Sequence, residues 1–195
     1  MLRPEFAVLM DFPGWTRYQE IVNICDYILK NEITDVIAAG TFGGRVASAI
    51  CRSFPAILVT AIDTFRYNSS YGELRSRTSM TCGDAFVDNY QSLLQFKTMH
   101  DYPNIAALQE DFINYNVKHQ LIIIELYPES ADYTWEMIFD HSLSLGAHII
   151  GACSQLGEKN GKSGMDVLRN LYDYEIFSSF LKPGFEIYKI LNKKS

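Results

Sequence analysis

Asp35-Val36-Ile37-Ala38-Ala39-Gly40-Thr41-Phe42-Gly43-Gly44-Arg45 is the stretch on which the reading of this chain turns. A short apolar run leads into a turn holding Gly40, Gly43 and Gly44. A helical segment follows, and then a second apolar run, Ile57 to Ile62, that ends on Asp63. Strand, glycine turn, helix, strand and carboxylate, in that order, is how an open parallel sheet builds a seat for a ribose-bearing ligand.

Working outward, Ile21, Ile24, Cys25 and Ile28 recur at helical spacing and predict an amphipathic helix over about Thr16 to Lys30, with Pro13-Gly14 before it. The segment Gly43 to Phe54 carries Val46, Ile50 and Phe54 on one face, and Pro55 stops it. Thr64 to about Cys82 has no sustained period and reads as a long loop, with a helix resuming near Asp84. Asn104 to Leu108 predicts a third strand. Gln120 to Leu126 predicts a fourth, and its unbroken Leu121-Ile122-Ile123-Ile124 suits a strand covered on both faces. A helix from Trp135 to about Leu145, with Gly146 as its C-terminal stop, precedes a fifth strand, Ala147 to Cys153. A polar glycine-rich loop from Gly157 to Gly164 and a short helix, Met165 to Tyr172, come next. Tyr174 to Phe180 and Phe185 to Leu191, joined by Leu181-Lys182-Pro183-Gly184, read as an antiparallel hairpin.

The chain has 195 residues and is 48% apolar, enough for one well-filled core, and no linker divides it. One domain over 1–195, with 1–34 as an N-terminal helical segment packed on it, is the expectation. Seventeen basic against 23 acidic residues, net charge -6, argue against extended nucleic-acid binding. Cys25, Cys51, Cys82 and Cys153 stand far apart in apolar surroundings and read as reduced, mostly buried thiols. No apolar stretch reaches the roughly 20 residues of a membrane span, and no basic region leads into a signal core, so a soluble, cytoplasmic protein with no membrane partner is expected. The 12 Tyr and 12 Phe suit core packing and would also serve a homo-oligomer interface.

These residues resemble the class I S-adenosylmethionine-dependent methyltransferases, and within them the small-molecule and sugar O-methyltransferases of the macrocin and cephalosporin-hydroxylase type, which share a Gly-Thr-Phe-x-Gly-Gly-like turn. The resemblance follows element order from about Asp35 to the end, and at motif level it covers Ala38 to Asp63. It implies an α/β, Rossmann-like three-layer sandwich: a mostly parallel seven-stranded sheet with an antiparallel C-terminal hairpin strand. It implies S-adenosylmethionine as cofactor, held by Gly40, Thr41, Phe42, Gly43 and Gly44 at the methionine and ribose parts. Asp63, 19 residues after Gly44, would take the ribose hydroxyls. Asp111 and Phe112, after the third strand, would hold the adenine. Asp63 also reads as a turn aspartate, and Asp111 as a helix cap before a core aromatic. The glycine pattern lacks the strict G-x-G-x-x-G, so a dinucleotide or nucleotide-sugar site remains an alternative for the first turn.

The sequence departs from the family in two places. Ala38 stands where an acidic residue two positions before the first glycine helps hold the methionine end. The Asp-Gly-Asp-His-like run of metal-dependent relatives is replaced by Glu125-Leu126-Tyr127-Pro128-Glu129, so no catalytic metal is expected. Glu125 and Glu129 are the candidate bases for a hydroxyl acceptor, and both read equally as solvated loop acids. Tyr127, Tyr67 and Tyr71 are candidate acceptor contacts, the last two within Arg66 to Arg77, a candidate lid or an oligomer-contacting loop. His100, His119, His141 and His148 lack metal-ligand spacing and read as structural or surface residues. Arg45 reads as solvent-facing or as a partner for a carboxylate ligand. The leading expectation is a metal-independent methyltransferase acting on a small hydroxylated, sugar-like molecule. The alternatives are an inactive binding or structural protein on the same fold, and an enzyme using S-adenosylmethionine or a nucleotide for different chemistry.

Overall fold

The computed structural model describes residues 16–40, 44–63, 103–126, 133–152, 156, 158–159, 162–178 and 185–195. The long segment after Asp63, with Tyr67, Tyr71 and Cys82, and the helix expected near Asp84 lie outside these residues, as do Cys153, Tyr127 and Glu129.

Helix α1 (Tyr18–Lys30) opens with the Glu20 carboxylate accepting from the Arg17 N–H at 2.8 Å, which satisfies one donor that a helix start leaves open. Its inward face is Ile21, Ile24, Cys25 and Ile28, as the spacing predicts. Strand β1 (Asp35–Ala39), helix α2 (Arg45–Ser53) and strand β2 (Leu58–Asp63) follow. Then come β3 (Ile105–Gln109), a single 3-10 turn (Phe112–Asn114), β4 (His119–Ile124), α3 (Trp135–Leu145) and β5 (Gly146–Ala152). The chain closes with β6 (Glu158–Lys159), β7 (Lys162–Ser163), α4 (Gly164–Leu171), β8 (Tyr172–Phe177) and β9 (Ile187–Lys193).

The seven-stranded sheet has the order β3-β2-β1-β4-β5-β9-β8. β1 pairs parallel with β2 and β4, β2 with β3, and β4 with β5, while β9 runs antiparallel to β5 and to β8. This is the expected Rossmann-like sheet with an antiparallel hairpin strand. Successive side chains of β1 and β4 enter opposite cores. Val36, Ala38, Leu121 and Ile123 pack with α1 and α2, whereas Ile37, Ala39, Ile122 and Ile124 pack with α3 and α4. Leu121 to Ile124 are fully buried, as suits a central parallel strand.

Several details differ from the sequence expectation. Gly146 does stop the helix as its C-cap, but with φ -114°, outside the left-handed region, and as the first residue of β5. A Cβ there would lie 2.8 Å from Ile122 Cδ1, so what the position demands is a small residue against β4. Within the glycine-rich stretch Gly157 to Gly164, Glu158-Lys159 and Lys162-Ser163 pair as a short antiparallel ribbon instead of forming a plain loop. His119 opens β4 rather than lying in a connection; its Nδ1 is 3.0 Å from Asp35 Oδ1 and its Nε2 is 2.9 Å from the Tyr115 hydroxyl. That contact ties the first residues of two neighbouring strands.

Asn104 fastens the α2–β2 turn to the start of β3. Its amide nitrogen lies 2.9 Å from the Ile57 carbonyl and 3.2 Å from that of Phe54, and its oxygen accepts from the Cys51 thiol at 2.9 Å. Replacing a buried amide that serves several partners strands their carbonyls. We expect Asn104→Ala to cost about 2–4 kcal/mol of unfolding free energy in a urea titration. Cys25 and Cys51 are buried, and burial, ahead of the opposing hydrogen bond with Ser53, pushes the Cys25 thiol up to about 12.

The α1–β5 contact carries a pH dependence. The Tyr27 hydroxyl sits 2.7 Å from His148 Nδ1, with Phe177 edge-on to the Tyr27 ring. Burial, then Lys189, lowers the His148 pKa, while burial, then Glu175, pushes Tyr27 up to about 12, so the hydroxyl donates to a neutral imidazole. The folded pKa lies below the ordinary 6.5, so the unfolded chain takes up the proton first as pH falls. This stability is present above 6.5 and is lost as pH falls through the folded value. Between about pH 7 and about pH 5 the melting temperature should fall, and His148→Gln, which accepts without titrating, should flatten that decline.

Candidate functional site

The chain runs from β1 outward to β2 and β3, then returns to β4 on the other side of β1. The strand order therefore reverses between β1 and β4, and their carboxyl ends open on the crevice where such sheets seat ligands. Hydrogen bonding continues past the strands into the candidate residues. The Gly40 N–H donates to the Ile62 carbonyl at 2.8 Å, the Glu110 N–H to the Asp63 carbonyl at 3.0 Å, and the Glu125 N–H to the Ala39 carbonyl at 2.8 Å. Those bonds lock the four strand ends in the order β3, β2, β1, β4.

Gly40 has φ +79°, and a Cβ built on it would lie 2.5 Å from Leu126 Cα and 2.7 Å from its nitrogen. The glycine is demanded twice, by the left-handed backbone and by the close pass of the chain leaving β4. Gly44 also lies in the left-handed region, φ 81°, and its carbonyl accepts the first α2 bond from Ser48 at 2.8 Å. Thr41, Phe42 and Gly43 lie outside the described residues. Asp63 is half-buried at the end of β2, paired in register with Gln109 of β3. Asp111 follows β3 and is half-buried, with Phe112 buried beside it.

Asp111 does cap the 3-10 turn, accepting from the Ile113 N–H at 3.3 Å, and its other oxygen takes the Tyr133 hydroxyl at 2.5 Å. The Tyr133 contact was invisible in the sequence. His141 of α3 secures the same turn. Its Nε2 is 3.0 Å from the carbonyls of both Phe112 and Tyr115, so that nitrogen carries the hydrogen, and its ring meets Phe112 edge-on.

Burial removes the solvent-exposed reading of Glu125 and of Arg45. Glu125 is 5% exposed and so is not a solvated loop acid; Arg45 is 8% exposed and so does not face solvent. Fully buried Thr16 joins them. Its hydroxyl donates to Glu125 Oε1 at 3.4 Å, and its carbonyl accepts from Arg45 Nη1 at 3.3 Å, both long bonds. Glu125 lies two residues beyond Ile123, on the face that Ile123 and Ala38 share. Ala38 itself is fully buried among apolar neighbours of α1 and α2. Among the described residues no three His, Cys, Asp or Glu side chains converge as a metal-ligand set, and no helix is long and apolar enough to cross a membrane.

Asp63, Asp111 and Glu125 place carboxyl groups at the ends of β2, β3 and β4, and carboxylates accept from hydroxyls and amines but repel phosphates.

No protein-family model and no curated protein matches the sequence. Solved structures match the fold. A candidate caffeoyl-CoA O-methyltransferase from Staphylococcus aureus has a TM-score of 0.59 at 14% identity, over 96% of this chain and 90% of that one. A candidate RNA methyltransferase from Pyrococcus horikoshii has a TM-score of 0.58 at 7% identity, over 95% and 93%. The magnesium protoporphyrin IX methyltransferase of Synechocystis, solved with S-adenosylmethionine bound, has a TM-score of 0.54 at 12% identity, over 98% and 90%. Sheet order, the antiparallel β9 and these likenesses agree: the chain has the fold of the class I S-adenosylmethionine-dependent methyltransferases.

Proposed function

We propose that this chain binds S-adenosylmethionine and transfers its methyl group to a small hydroxylated, sugar-like acceptor without a catalytic metal. The observation that supports this best is the run of main-chain bonds that fixes Gly40, Asp63, the Asp111 turn and Glu125 along one edge of the sheet in strand order. Asp63 takes the two ribose hydroxyls and Asp111 the adenine amine, while Gly40, Thr41, Phe42, Gly43 and Gly44 let the backbone approach, with Phe112 packed behind the base. Glu125 emerges on the face of Ala38, one strand over, and supplies the carboxyl group that Ala38 lacks. It holds the ammonium of the methionine end beside the buried Arg45. That role suits its burial better than proton transfer to solvent, so Glu129 is the preferred base, with Tyr127, Tyr67 and Tyr71 at the acceptor.

The bound cofactor supplies an electrophilic methyl group on sulfur. The protein then has to align the acceptor oxygen in line with it and remove one proton. The three structures compared above carry names with unlike acceptors on one fold, so acceptor identity rests on the loops and not on the sheet. A second reading, binding without transfer, is favoured by the burial of Glu125, the candidate base that the structure describes. Incubation with S-adenosylmethionine labelled in its methyl group, across a panel of sugars and nucleotide sugars, separates the two. Label moving to an acceptor supports the transferase. Retention of label on the protein with no transfer across the panel supports the binding protein.

A further inference from the structure

We propose that Tyr133 is a positioning residue that orients the Asp111 carboxylate and makes the site selective for a purine carrying an exocyclic amine. This deepens, and rests on, the reading of Asp111 as the adenine contact. The carboxylate is held from both sides: one oxygen accepts from the Ile113 N–H and the other from the Tyr133 hydroxyl. Each oxygen keeps a second lone pair, and an ionised carboxylate only accepts hydrogen bonds. A carboxylate fixed in this way opposite the 6-position accepts from a 6-amino group and repels a 6-oxo group, whose N1–H donor could reach it only by a shift of the ring or of the carboxylate that these two bonds resist.

The Tyr133 bond is not needed merely to fasten α3 to the turn after β3. His141 already does this through the carbonyls of Phe112 and Tyr115 and through edge-on ring contact with Phe112. Tyr133 acts on the carboxylate itself. It stands directly before Thr134, whose side chain caps α3 by accepting from the Met137 N–H, so the first turn of the helix anchors its backbone. Two constraints on Asp111, one from its own turn and one from α3, hold the carboxylate plane. Removing the hydroxyl leaves the weaker 3.3 Å cap bond to hold it alone.

The test is calorimetric titration of the full chain and of Tyr133→Phe with S-adenosylhomocysteine and with S-inosylhomocysteine, which carries a 6-oxo group. The unmodified protein should prefer the adenosyl compound. Tyr133→Phe should weaken that compound about tenfold while changing the inosyl compound less than about twofold, so that discrimination collapses. Thermal melts of both proteins check that the loss of one oxygen leaves the fold intact. Equal weakening of both compounds, or no change in either, overturns the role of Tyr133 while leaving cofactor binding standing. Failure of the unmodified protein to bind S-adenosylhomocysteine overturns both this role and the proposed function.

Discussion

Asp63→Ala is expected to weaken S-adenosylhomocysteine binding about 100-fold, beyond what any shift in the melting temperature of the free protein explains. The carboxylate stands half-buried at the end of β2, and its backbone is held by the Glu110 N–H bond whatever its side chain. Two ribose hydroxyls donating to one carboxylate are charge-assisted bonds, each worth about 1.5–3 kcal/mol before water competes. A net loss of about 3 kcal/mol corresponds to the 100-fold figure. Titration calorimetry at matched pH and salt reads the affinity, and a melt of the unliganded variant reads the fold. Unchanged affinity would show that the ribose lies elsewhere.

Gly40→Ala should act the other way round, on the fold first. A Cβ at φ +79° is strained in itself, and this one would sit 2.5 Å from a backbone atom of Leu126, which has no rotamer into which it can retreat. Left-handed strain of about 1–3 kcal/mol joins the cost of pushing the β4 end away from β1. The sum is set at about 3 kcal/mol or more. For a domain of this size each kcal/mol lowers the melting temperature by about 2–4 °C, so a drop of about 6–12 °C is expected. The shift opens the β1–β4 gap where Glu125 pairs its N–H with the Ala39 carbonyl, and cofactor binding should fall with it. A variant that melts like the unmodified protein would mean that the β4 end yields without cost.

The parts of the fold legible in the sequence were those set by local pattern. Asp35 to Ala39 forms β1 with the expected bounds, because an apolar run cut by a glycine has one reading. Leu121 to Ile124, buried on both faces, announces a central strand for the same reason. The terminal hairpin was visible as two apolar runs around Pro183-Gly184, although β8 and β9 are offset by about two residues from the expected bounds. Gly146 marks the helix end at the expected place, but the reason it must be small, a close approach to Ile122 on the neighbouring strand, has no local sign in the sequence.

The candidate site was legible only where its chemistry is local. Gly40, Asp63 and Asp111 stand next to the strand ends that define them. The partners of the site residues come from far along the chain: Thr16 lies 109 residues from Glu125, and Tyr133 lies 22 from Asp111. No period or spacing links such pairs, because they exist only once the layers are stacked. Of the two readings of Arg45, the solvent-facing one fails for the same reason. A lone arginine opening a helix has no local sign that α1 and Thr16 will cover it.

This edge of the sheet is proposed to seat S-adenosylmethionine. Calorimetric titration of the unmodified 195-residue chain with S-adenosylhomocysteine decides the matter. A saturable isotherm with one site per chain is expected, and no binding up to about millimolar ligand would mean that the strand ends do not form this site.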